Sequence, residues 1–157
     1  MLKNTLRAFA LIALTATAAQ AQTQTVTFAV NAINQIAFTG APSLTITTAV
    51  AGSAPTSVTD ATSSWAVTTN QTGAKISASI PTIMPTGLTL SASLAAPAGA
   101  TSAGFQALGT SAVDLVTVIT KLNQGSLGVS YKLDATAAAG VVTSSTRLVT
   151  YTITGGT

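Results

Sequence analysis

The chain contains no cysteine and no histidine, and its three acidic residues, Asp60, Asp114 and Asp134, leave no glutamate. Without cysteine there is no disulfide to staple the fold, no thiolate metal site and no thiol nucleophile. Without histidine the commonest general base, the commonest metal ligand and every Ser-His-acid triad are excluded. Charged residues make up 6% of the 157 residues, against about 25% in ordinary globular chains. A surface so close to neutrality promotes association. Aromatics are also scarce, at 4%. Beyond the N-terminus no apolar run approaches the twenty or so residues of a membrane span, so membrane insertion is not expected.

Further catalytic arrangements fail on spacing. A Ser-x-x-Lys dyad needs serine three residues before a lysine, and Thr72, Val118 and Val129 stand before Lys75, Lys121 and Lys132. Asp60 and Asp134 each open an Asp-Ala-Thr triplet. They read as turn and strand-end acceptors rather than as a carboxylate dyad. Calcium is the one metal that three aspartates could hold, but no run concentrates them. No Gly-rich phosphate loop occurs. No enzyme activity, cofactor or metal is therefore expected.

The first twenty-one residues, MLKNTLRAFALIALTATAAQA, have the anatomy of a secretory signal peptide. Lys3 and Arg7 form a basic start, an apolar stretch runs from about Phe9 to Ala16, and Ala19, Gln20 and Ala21 give a small-x-small ending, with cleavage expected after Ala21. A secreted, extracellular or cell-surface location follows, with the periplasm as a further possibility. Residues 22–157 form one domain of about 136 residues. They retain Lys75, Lys121, Lys132 and Arg147 as cations, too few and too scattered to neutralise a run of phosphates. Nucleic acid is not an expected partner.

What is abundant is threonine, about a fifth of the chain, within a composition that is 47% hydrophobic. That composition excludes disorder, and β-branched threonine suits a pleated, half-wet surface. Segments of alternating hydrophobicity recur between turn clusters. The spacing predicts strands over 23–40, 43–50, 63–70, 74–80, 87–97, 126–136 and 146–154, with a short edge strand at 105–109. The segment 111–122 fits both helix and strand, and its density of β-branched residues favours strand. Turns are expected at 70–73 and at Asn123, Gln124 and Gly125, and loops at 51–62, with Val58 a candidate strand start, and at 98–104. The expected fold is all-β: a single antiparallel β-sandwich of about eight or nine strands. Trp65, the sole tryptophan, reads as a core anchor between the sheets rather than as a sugar-stacking platform. Asn70, Gln71 and Thr72 form a glycosylation sequon of little weight. Scattered T-x-T arrays read as outward strand positions rather than as an ice-binding lattice.

The stretch 23–40 is too long for one ordinary strand. It either bends near residues 31–35 to pass between sheets, or its first part leaves the domain and completes the sheet of a neighbour. Val26, Phe28, Val30 and Ala32 are then the candidate donor-strand residues of a segment spanning 22–32. The signal peptide, the alternating QTVTFAVNAI (24–33) and the ending AAAGVVTSSTRLVTYTIT (137–154) together resemble bacterial secreted, immunoglobulin-like β-sandwich surface proteins, among them fimbrial and extracellular filament subunits. The resemblance implies a structural or adhesive role, with partners that are copies of itself or other surface proteins. A soluble module binding carbohydrate or another surface ligand, through loops 51–62 and 98–104, is the alternative.

Overall fold

The computed structural model describes residues 20–157. Apart from Gln20 and Ala21, the expected signal peptide lies outside the described residues. The chain falls into two units, Met1–Val30 and Asn31–Thr157. In the first, residues 20–30 carry no strand pairing and every side chain is exposed. The second holds nine strands: β1 (Asn34–Thr39), β2 (Val58–Thr69), β3 (Ala74–Ser79), β4 (Leu88–Leu94), β5 (Thr101–Ser102), β6 (Gln106–Ala107), β7 (Val113–Ile119), β8 (Leu122–Ala135) and β9 (Thr150–Thr154). Among the described residues no helix is long and apolar enough to cross a membrane.

The strands form two wholly antiparallel sheets, ordered β1-β2-β8-β4-β6 and β5-β7-β3-β9. Alternation supplies the core between them. Trp65 and Val67 of β2, Leu127 and Val129 of β8, and Leu90 and Leu94 of β4 meet Ile76 of β3 and Leu115, Val116 and Ile119 of β7. Trp65 is 1% exposed, and its indole Nε1 donates to the Ala95 carbonyl at 3.2 Å. The two sheets are joined at one side by aromatic rings: Phe38 of β1 stacks on Tyr151 of β9 at 3.9 Å between centroids and lies 6.0 Å from Trp65.

Several expected boundaries move, each for a local reason. The 23–40 strand shrinks to β1, because Asn34 pairs with Thr69, the last residue of β2, and the chain turns at 70–73. Earlier residues have no ladder left to join. The segment 43–50 forms no strand and makes a single bridge, Ala49 to Pro55, while Ser43 donates its N–H to the Asp60 carboxylate at 3.0 Å. The expected turn at Asn123, Gln124 and Gly125 is instead part of β8, since Asn123 pairs with Thr68 and Gln124 with Val67. The reversal lies at Thr120 and Lys121, where Lys121 takes a left-handed φ of 39° and donates its N–H to the Gln71 carbonyl. Part of the 51–62 loop belongs to β2, and the 98–104 loop contains β5. The 146–154 strand begins only at Thr150. Its partner β3 ends at Ser79, Ile80 gives its N–H to the Gly109 carbonyl, and Pro81 has no N–H to give.

Gly40 turns the chain out of β1 with φ of 118°, and a Cβ there would lie 2.8 Å from the Ser63 Cα of β2. Left-handed strain and a clash with backbone act together in Gly40→Ala. The expected loss is roughly 1–3 kcal/mol, read as a lower urea midpoint at unchanged m-value.

Candidate functional site

The three aspartates, Lys75 and Lys132 are held in structural contacts. Asp60 accepts at Oδ1 from the Thr62 N–H (2.9 Å) and hydroxyl (2.7 Å), and at Oδ2 from Ser43. This bonding sits where the β2–β8 register slips between Asp60 and Ser63, so the carboxylate satisfies backbone that the bulge leaves unpaired. Asp134 accepts from the Ser57 hydroxyl and pairs with Lys132 at 3.1 Å. Lys75 and Asp114 form the other ion pair, at 3.0 Å on the surface. Asp60 lies opposite Tyr131, whereas Asp134 shares the parity of Lys132, so the two Asp-Ala-Thr aspartates face opposite sides of the sheet. Among the described residues no three His, Cys, Asp or Glu cluster as a metal site would require.

The titration of these groups sets the expected pH dependence. The Thr62 hydroxyl, then the Ser43 and Thr62 N–H groups, hold Asp60 below its usual 3.8, and the Ser57 hydroxyl does the same for Asp134. Their stabilisation is present above that value and is lost as pH falls through the lower folded pKa values. Burial, followed by the hydrogen bond to the Tyr131 hydroxyl at 2.7 Å, raises the Tyr151 phenol well above 10.0. The unfolded phenol ionises near 10.0 while the folded one stays protonated, so the Tyr151 contribution is fully present below pH 10 and is lost as pH rises above it. With no histidine to titrate, urea midpoints are expected to be flat from about pH 5 to pH 9. Tyr151→Phe should shallow the alkaline fall.

Two shallow depressions lie on the β2–β8 pair. The first, about 360 Å³, is lined by Ile33, Thr68, Asn70, Lys121 and Asn123, and the second, about 260 Å³, by Ala66, Thr68, Asn123 and Gly125. Neither is lined by residues of 51–62 or 98–104, the ligand edge expected of a binding module. Lys121 is their one ionisable residue. They offer amide and hydroxyl hydrogen bonds and one ammonium.

The most unusual surface feature is the candidate donor segment. Val26 is 74% exposed, Phe28 89% and Val30 78%, and Ala32 is exposed as well. The alternation that predicts a strand is present, but its apolar parity faces solvent. Where the segment approaches β1 it is fastened by the sequon asparagine: Asn70 Oδ1 accepts the Ile33 N–H at 2.8 Å, Asn70 Nδ2 donates to the Asn31 carbonyl at 2.8 Å, and the Asn70 N–H donates to the Ile33 carbonyl. Asn34 continues the clamp, donating to Gln71 Oε1 and accepting the Thr69 hydroxyl, each at 2.7 Å. Both ends of the Asn70 amide are thus occupied by backbone, a role the sequon pattern does not disclose. Asn70→Ala should cost about 1–2 kcal/mol and speed amide exchange at Ile33.

The strand edges near this exit are open. β1 and β9 end their sheets on the same side, each with one strand neighbour, and neither NQIAFT nor TYTIT holds a charged residue. The opposite edges, β5 and β6, are two residues long. No family model, curated protein or solved structure matches the chain.

Proposed function

We propose that this chain is a secreted structural protein of the cell surface, an immunoglobulin-like β-sandwich that assembles with copies of itself by strand addition through residues 22–32. The observation that carries the reading is the exposed alternation of Val26, Phe28 and Val30. Side chains of this kind gain roughly 1.5–3 kcal/mol each on full burial. A segment that presents three on one parity is built to be covered by something extended. Backbone pairing at a sheet edge supplies that cover together with main-chain hydrogen bonds. The scarcity of charge removes the usual guard against edge-to-edge pairing.

A soluble binding module is the second reading, favoured by the depression lined by Asn70, Lys121 and Asn123. Negative-stain microscopy of the secreted material separates the two: strand addition gives ordered fibres, whereas a binding module gives dispersed monomers.

A further inference from the structure

Strand addition requires an acceptor, and the four sheet edges are not equal candidates. Edges resist pairing when they are very short or charged. β5 and β6 are protected by having two residues each, while β1 has six and β9 five, all uncharged. β9 also has an unused extension. Residues 146–149 precede it without strand pairing, because β3 stops opposite Thr150. Their burial nonetheless keeps the β9 alternation: Arg147, Val149, Tyr151 and Ile153 are partly shielded, while Thr146, Leu148, Thr150, Thr152 and Thr154 are exposed. The prepared edge is therefore 146–154, the same length as 24–32. On β1, by contrast, the edge stops at Thr39 and the chain turns away at Gly40.

The seam beside this edge is unfinished. Ile36 and Phe38 of β1 and Val149, Tyr151 and Ile153 pack against the core without being fully buried. The buried Nε of Arg147 has no hydrogen-bond partner among the described residues. We infer that the acceptor is the 146–154 edge of a second copy, its backbone pairing with residues 24–32 while Val26, Phe28 and Val30 cover the seam next to Val149, Tyr151 and Ile153. The assignment rests on the self-assembly reading and names its receiving site. Because donor and acceptor are different surfaces, the contact is head-to-tail, which propagates as a filament wherever the rotation does not close.

The absence of cysteine makes the test direct. Thr25 and Thr27 have the parity opposite to Val26 and Phe28, so cysteines there leave the apolar row intact. Chains carrying Thr25→Cys or Thr27→Cys are mixed, under mild oxidation, with chains carrying Thr150→Cys or Thr152→Cys on β9, Ala37→Cys on β1, or Ala107→Cys on β6. All the acceptor positions are exposed. Facing residues of paired strands lie within disulfide reach. The β9 positions should give roughly ten-fold or more heterodisulfide over the β1 and β6 positions. Preferential capture at Ala37→Cys or Ala107→Cys while the unsubstituted chain still polymerises overturns the β9 assignment and leaves strand addition standing. Polymer without capture at any edge also overturns it. Absence of both polymer and capture removes the self-assembly reading and this inference with it.

Discussion

Replacing Trp65 with alanine is expected to destabilise the domain by about 3–5 kcal/mol, a large share of the 5–15 kcal/mol typical of a whole domain. The indole is almost fully buried on β2, and its removal leaves a cavity between sheets that have no disulfide to hold them. It also leaves the Ala95 carbonyl without its side-chain donor and takes away the ring 6.0 Å from Phe38. Phe38 in turn stacks on Tyr151 of the other sheet, so the loss reaches the β1–β9 side. Trp65→Phe keeps most of the volume and should cost much less. Since Trp65 is the only tryptophan, urea unfolding of both variants must be followed by far-UV circular dichroism rather than by indole fluorescence.

Replacing Phe28 with aspartate is expected to leave the domain folded and to abolish assembly. The ring is 89% exposed in the single chain, so the substitution removes almost no packing from it. In a filament the same position would be covered, and losing that burial weakens the contact by about 2–3 kcal/mol, or about 100-fold in affinity, before the cost of burying a carboxylate is added. Thermal unfolding of Phe28→Asp should superimpose on that of the unsubstituted monomer, while light scattering at concentrations that polymerise the unsubstituted chain stays at the baseline. Phe28→Leu should assemble with modest weakening.

The all-β, two-sheet fold was legible because most strands keep a clean period of two. β2 buries Ser63, Trp65, Val67 and Thr69 in strict alternation. The segment 111–122 looked partly helical for a physical reason: β7 is bulged. Its pairing with β3 slips on both sides of Ile76, and Val118 takes a left-handed φ of 63°. The buried residues therefore fall at Leu115, Val116 and Ile119, a spacing close to that of a helix face. The misplaced turn at Asn123, Gln124 and Gly125 came from turn-forming residue types. Position in the ladder overrode them, since Gln71 captures the Lys121 N–H and reverses the chain earlier.

Strand lengths were the least legible quantity. Alternation at 23–33, 43–50 and 146–149 reports that a segment can form a strand, whereas a strand exists only where another edge remains to receive it. Within one chain, β2 ends at Thr69 and β3 at Ser79, so the first and last of these segments exceed the ladder available to them. Trp65 and the candidate donor residues stand out in the sequence because they are large or periodic. The Asn70 clamp does not, because it depends on two backbone groups 37 and 39 residues away.

The most direct measurement is sedimentation velocity on residues 22–157 and on the same chain lacking 22–32, each checked for its folded state by circular dichroism. Strand addition by the N-terminal segment requires the longer chain to polymerise, and the shorter one to run as a folded monomer with an unchanged spectrum, its melting transition lowered by no more than the loss of the Asn70–Asn31 hydrogen bond. A shorter chain that still polymerises, or that unfolds because the segment belongs to its own core, would contradict it.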